Sequence, residues 1–544
     1  MSTTQTIVFC LDAFDAALSD KLIAEGRLKG LARLKANAAR FPLEHGPEGK
    51  ARYTGLTWEH FSSGRQPATS EKWSVITFDP ATYGASQSHA TETPFLAHVD
   101  AKCVVFDAPY WNMRAMPNGV GVVGWSGHDT GVSLHAQPPA LYDEMVERFG
   151  GPLDHGHLNT MVYPSVEQTQ EMAKDLEAEA AKRGDITEWL LSERFQEWDV
   201  AVIGFGETHD AIELFCHGAL PDHPLAGTPS AEAARAGVIA VYEAVSAQIE
   251  RVMDRFPDAN FVAFTMHGMG ENDTDVPTML LLHEVLFRAQ FDQPLFRSRD
   301  DWRGAEHPQL GVNEPWEGSV IQAMEHPQKS LAERAVRKAA RVAKKLLPGG
   351  APAPATAPES DEAMSVTWMP AHQYARYWEK MDAFALPAYF DGRVRVNLIG
   401  REAKGRVPME RYEDELNRIE TLLRELRVLG ADMPAVKEIS RPWTGDPREM
   451  PGTLADLHIL WTGWMAGVEH PKLGAIGPAP ARRTGGHSGG YGALYIKSAR
   501  LAPGEYPLRS SFDVAPSIID LMGHVRPNSI DGESVLAPRS VAAE

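Results

Sequence analysis

Continuous apolar runs, each ending in a short polar cluster, recur along this chain. The most informative is Val200–His217, VAVIGFGETHDAIELFCH. Seven residues from Val200 to Gly206 have no polar side chain, the pattern of a parallel strand buried on both faces. Glu207, Thr208, His209 and Asp210 follow at its carboxyl end, and a helix-compatible segment then carries Glu213 and His217. Thr6–Leu11 reads as a first buried strand closed by Asp12. Further strands are predicted at Trp73–Phe78, Cys103–Phe106, Phe261–Met266 and Ala493–Ile496, with helical periodicity over Phe14–Ala39, Ser165–Lys182 and Ala231–Phe256. Strands alternating with helices predict an α/β chain with a doubly wound, mostly parallel sheet. In such sheets ligands gather at the carboxyl ends of the strands.

The pattern changes after residue 280. A helix-rich stretch ends in the basic amphipathic segment Leu331–Leu347, read as a solvated helix face, and a Pro/Ala linker occupies 348–360. Beyond it lie the alternating strand Arg393–Leu398 and a long amphipathic helix over Met409–Leu429. The division expected is a core at 1–280, a helix-rich α+β insertion or cap at 281–455, and the rest of the core at 456–544. With 544 residues the chain is too long for one compact core without such an insertion. A balance of 53 basic against 73 acidic residues, a formal charge of −20, argues against nucleic-acid or anionic-membrane partners. Three cysteines without C-x-x-C spacing suggest reduced, buried thiols. No signal-peptide pattern or membrane-length apolar run is present, so a cytoplasmic protein is expected.

The polar clusters carry the candidate chemistry. His209 and Glu213 are four apart, so on a helix they share a face and could grip one metal ion, although the same spacing is common on solvated helices. Tyr53–Gly64 looks like a turn feeding a helix N-terminus, where exposed N–H groups favour an anion. Thr54 is there a nucleophile or simply an N-cap. His267 follows a strand beside flexible glycines, and His487 lies between glycine pairs in Arg482–Gly490. His128 and Asp129 line a substrate pocket or are structural. Glu207 and Asp210 are alternatives to Glu213 if the strand end shifts by one residue.

Taken in order, these pieces resemble the alkaline phosphatase superfamily, in particular its type I phosphodiesterase/nucleotide pyrophosphatase-like branch. Asp12 matches the metal-binding Asp that closes the first strand. Thr54 stands ten residues before Gly64 of Trp58-x-x-Phe61-x-Ser63-Gly64, the spacing of the family's nucleophile. Ser510–Ser517 resembles the closing D-V-A-P-T segment, and Ala383–Pro387 and Asn397–Glu402 resemble A-F-A-L-P and N-x-x-G-R-E. The resemblance implies an alkaline phosphatase-like core and two metal ions, usually zinc. The chain departs from it in three places. The D-x-x-x-H pair is His209 with Glu213, the Asp of the Asp-His pair is Met266 before His267, and His487 stands in G-G-H-S rather than G-D-H.

The variant donor set is then His209, Glu213 and His487, which suits zinc, manganese or iron. Asp12, His267 and Thr54 are left for a second site one carboxylate short, so one strong site and a weakened or empty second are expected. The leading reading is a metal-dependent hydrolase of phosphate esters, phosphodiesters or related phospho- or sulfo-esters, with Thr54 as nucleophile. The alternatives are non-hydrolytic chemistry at a mononuclear, iron-type site and a catalytically silent binding protein. The partner expected is a small-molecule ester; a homodimer is left open.

Overall fold

The computed structural model describes residues 4–45, 56–126, 131–153, 165–303, 315–324 and 364–536. Thr54, His128, Asp129, the segment Leu331–Leu347 and the linker at 348–360 lie outside the described residues.

A ten-stranded sheet runs through the centre. Its eight principal strands are β1 (Thr6–Leu11), β2 (Ala39–Glu44), β3 (Cys103–Phe106), β4 (Gly119–Val123), β5 (His135–Gln137), β6 (Val200–Phe205), β7 (Asn260–His267) and β8 (Tyr491–Lys497). Their spatial order is β2-β8-β7-β1-β6-β3-β4-β5, with Gly504–Glu505 and Arg509–Ser510 pairing on β2. The five strands β7-β1-β6-β3-β4 are parallel, whereas β8, β2 and β5 bring in antiparallel pairs at the two sides. β1 is central. Every residue of β1 and β6 is buried, as a strand covered on both faces requires.

The two faces pack into different cores. Val8 and Cys10 face a cluster that includes Trp58, Phe61, Ile518 and the cap. Ile7, Phe9 and Leu11 face one built from Leu176, Phe215, Val238 and Tyr242. The second layer comprises helices over Val166–Trp189, Glu207–Ala219 and Ala231–Arg255. The first of these starts at Ser165 with a reciprocal side-chain cap to Gln168.

Several predicted elements differ in place or extent. The predicted helix over Phe14–Ala39 is two helices, Ala16–Ala24 and Lys29–Ala36, separated by Gly26 at φ +76°, and Ala39 already belongs to β2. The strand predicted at Trp73–Phe78 is Ile76–Asp79, and it leaves the central sheet. It pairs with Gly84–Gln87, which in turn pairs with Met364–Ser365, and Phe78 packs on Trp378 and Phe384 of the cap.

The cap is organised by a four-stranded antiparallel sheet in the order Ala383–Leu386, Gly392–Val396, Leu457–Trp461, Val436–Ser440. It therefore extends past residue 455. The alternating strand there has no solvated face: Gly392–Val396 is buried throughout. Arg395 donates to Glu402 at 2.6 Å, and Arg401 bridges Glu402 and Asp456, each at 2.8 Å. Paired carboxylates let both arginines lie inside. Among the described residues no helix is long and apolar enough to cross a membrane.

Candidate metal centre

Three adjacent parallel strands deliver their polar ends to one rim of the sheet. β1 ends at Leu11, so Asp12 emerges there. β6 turns at Gly206 into the helix Glu207–Ala219, on which His209 and Glu213 stand one turn apart. β7, on the other side of β1, ends with His267. Thr208 locks the first two pieces together, its buried hydroxyl donating to the Asp12 carbonyl at 2.6 Å.

The fourth piece comes from far along the chain. Gly270–Glu271 pairs antiparallel with Gly485–Gly486, which brings His487 to the same rim just before β8. Here glycine is required by space. A Cβ on Gly485 would sit 2.1 Å from the Ile212 carbonyl oxygen, and one on Gly489 would sit 2.3 Å from the Gly268 carbonyl carbon. Asp15 anchors the His267–Gly270 loop by accepting from the Met269 N–H at 2.8 Å.

One atom each from His209, Glu213 and His487 lies within 4.8 Å of the other two. Glu213 Oε1 faces both imidazoles, 3.2 Å from His209 Nε2 and 3.7 Å from His487 Nε2. Its other oxygen, Oε2, contacts Arg483. His209 Nδ1 is 3.8 Å from Asp12 Oδ2, while Asp12 Oδ1 accepts from the Trp58 indole at 2.6 Å. The His267 and His487 rings are 4.7 Å apart between centroids, nearly perpendicular, and Phe390 meets the His487 ring at the same distance. All these groups line one cavity of about 540 Å³, walled by Trp368, Tyr389 and Phe390 from the cap side.

Each side chain singled out from sequence can now be placed. Asp12, His209, Glu213, His267 and His487 converge on the cavity. Glu207 does not: its carboxylate is buried against Arg183 at 2.7 Å, and burial pushes its pKa up despite that guanidinium. Arg183 also holds Asp107 at 3.0 Å, so Glu207 fixes the helix start to the end of β3. Asp210 is buried too, and its charge acts on Arg483. Met266, at the position of the expected carboxylate, belongs to the apolar core.

Two imidazoles and a carboxylate gathered within coordinating reach are the donor chemistry that zinc, manganese or ferrous iron takes. The contact from Arg483 to Glu213 Oε2 leaves Oε1 turned toward the imidazoles, the kind of outer support that orients a ligand. The residues fit a metal ion. Among the described residues this is the one group of three such donors.

Several solved structures are similar in shape and distant in sequence. No family model matches the chain, and no curated protein matches it. Phosphonoacetate hydrolase from Sinorhizobium meliloti 1021 is similar at 13% identity and a TM-score of 0.47, covering 96% of this chain and 95% of that one. Murine ectonucleotide pyrophosphatase/phosphodiesterase 5 is similar at 9% identity and a TM-score of 0.44, covering 96% of each chain. The alkaline phosphatase PafA is similar at 10% identity and a TM-score of 0.49, covering 98% of this chain and 99% of its own.

Sequence reasoning did not single out Arg483, although it stands four residues before His487 in the same quoted cluster. Nothing in its local pattern tells which of two adjacent arginines points at the carboxylate. It also missed the cap aromatics Trp368, Tyr389 and Phe390, which reach the cavity only through tertiary packing.

Proposed function

We propose that the chain is a metal-dependent hydrolase of phosphate or related phospho- and sulfo-esters, of the alkaline phosphatase superfamily and its phosphodiesterase-like branch. The observation that carries the reading is the convergence of His209, Glu213 and His487 within 4.8 Å, beside Asp12 and His267, in one cavity. The order of sequence motifs supports it. His209, Glu213 and His487 would hold the metal ion, zinc first among those the donors suit. When bound, the ion would supply Lewis acidity and positive charge.

The chain's own groups would do the rest. The Thr54 hydroxyl is the nucleophile: a bond forms from its Oγ to phosphorus as the ester bond breaks, and the leaving alcohol takes a proton. Water then cleaves the threonyl ester, releasing the phosphorylated product and restoring the hydroxyl. Trp368, Tyr389 and Phe390 of the cap wall the cavity beside these groups.

Elemental analysis of the purified protein gives the metal and its stoichiometry. Zinc-loaded protein is expected to turn over bis-p-nitrophenyl phosphate, and Thr54→Ala to lower that rate by roughly a thousandfold or more with its metal content intact. Intact turnover in Thr54→Ala would remove the nucleophile assignment. The same two-histidine, one-carboxylate set also suits ferrous iron; tightly bound iron together with no ester turnover would favour non-hydrolytic chemistry.

A further inference from the structure

His209 and Glu213 stand on one helix, but His487 reaches them on a strand from far along the chain, and a single residue joins the two pieces. Thr484 is buried and lies three residues before His487. Its N–H donates to the Glu213 carbonyl at 3.0 Å, and its hydroxyl donates to the Leu214 carbonyl at 3.0 Å. The backbone of one metal donor is thus bonded directly to the segment that presents another. Gly485, next along, lies flush on the same helix, with no room for a Cβ beside the Ile212 carbonyl.

On its other side the Thr484 carbonyl accepts twice. One donor is the Asn272 N–H at 3.0 Å, and the other is the His223 imidazole at 2.9 Å. His223 is buried in the loop that leaves the helix Glu207–Ala219. Its Nδ1 accepts from the Leu225 N–H at 3.0 Å, so the proton of the neutral ring sits on Nε2 and is donated to Thr484. Burial lowers the pKa of His223, which keeps the ring in that neutral form at pH 7. Trp464 meets the ring edge-on at 5.1 Å between centroids and holds its orientation. Neither Thr484 nor His223 lines the cavity, so both act on it only through the backbone. A metal site keeps each donor within about 0.2 Å of its bonding distance. A slip of strand against helix by a fraction of an ångström therefore costs metal affinity even where the fold survives it.

We propose that Thr484 and His223 are positioning residues of the metal centre, fixing the strand of His487 against the helix of His209 and Glu213 at the spacing one metal ion needs. This rests on the metal-binding part of the reading above and not on ester hydrolysis.

Zinc dissociation constants are measured by competition with a chromophoric chelator for native protein, Thr484→Val, Thr484→Ser, His223→Leu and His223→Gln. Urea melts of each apoprotein give the folded fraction before zinc is added. Thr484→Val keeps the shape of the side chain and loses the hydroxyl, and His223→Leu loses the donor that His223→Gln retains. Native protein is expected to bind zinc tightly. Thr484→Val and His223→Leu should raise Kd roughly ten- to a hundredfold in fully folded protein. Thr484→Ser and His223→Gln should recover most of that loss. Should His223→Leu fail to fold, His223→Asn takes its place, since its shorter side chain holds the amide back from the Thr484 carbonyl. A native-like Kd in folded Thr484→Val would overturn the proposal. So would a Kd in Thr484→Ser or His223→Gln as weak as in its apolar counterpart, which would reduce the two residues to packing. Native protein that binds no zinc removes the metal reading and this proposal together. Zinc affinity that follows these variants in a protein without ester turnover removes the hydrolase reading and leaves the proposal standing.

Discussion

At the scale of single residues, the chain buries histidines in two different ways. His209, His267 and His487 line the cavity, whereas His60 and His283 are sealed in packed interior. Burial pushes His60 down to about 4, with the Lys72 carbonyl opposing, and His283 down to about 3. An unfolded histidine takes its proton near pH 6.5. Below that pH the unfolded chain binds protons that the folded chain refuses, so stability falls as the pH drops from about 6.5 toward 4 and is flat in this respect above it. Each histidine contributes about 1.4 kcal/mol per pH unit inside that window. The urea midpoint is therefore expected to decline steeply between pH 6.5 and 4.5. It should decline less in a His60→Gln, His283→Gln double variant that folds. An equally steep decline in that variant would show that other groups set the acid limit.

Among elements, the junction of β1 with the helix Glu207–Ala219 decides how the site is built. That helix starts at Gly206 without a side-chain cap, so its first turn is held by tertiary contacts. Thr208 to the Asp12 carbonyl is one of these and Glu207 to Arg183 is another. Thr208→Val keeps the shape of the side chain and leaves the Asp12 carbonyl without that partner. The expected cost is about 1–2 kcal/mol of stability. A loss of ester turnover larger than the loss of folded protein should accompany it, because His209 is the next residue. Denaturant melts and metal content of the same preparation separate the two effects. Unchanged kcat and metal content at full stability would mean that the helix start is fixed by Glu207 alone.

For the whole molecule, the site is held together by protein contacts that do not involve a metal ion. Trp58 holds Asp12, Arg483 contacts Glu213, and the glycine strand Gly485–Gly486 seats His487 by backbone pairing. The two cores on either face of the sheet are continuous and apolar. Chelation is therefore expected to abolish turnover and lower Tm by the few degrees that linkage predicts, with the far-ultraviolet circular dichroism unchanged. Re-addition of zinc should restore the activity. A chelated protein that loses its secondary structure would make the metal a folding partner in this chain.

The long-range order of the chain was legible wherever one face of the pattern was decisive. Fully apolar runs named β1, β3, β6 and most of β7 and β8, and 3.6-residue periodicity marked the helices over Val166–Trp189 and Ala231–Arg255. The polar residues closing those strands followed at once, which is why Asp12, His209 and His267 could be named from sequence. β2 with its Pro42, β4 with its two glycines and the three-residue β5 were missed, and they pair on β8, β3 and β4 respectively. Nothing local marks Arg395 as buried, because its partner Glu402 lies seven residues away across a turn. Local sequence determined which side chains stand at strand ends, since burial on both faces leaves the ends as the place for polar groups. Only the tertiary structure decided that Glu213 rather than Glu207 faces the imidazoles, and that Arg483 rather than Arg482 contacts it. Those outcomes turn on which buried charge found a counter-charge, and the counter-charges come from distant parts of the chain.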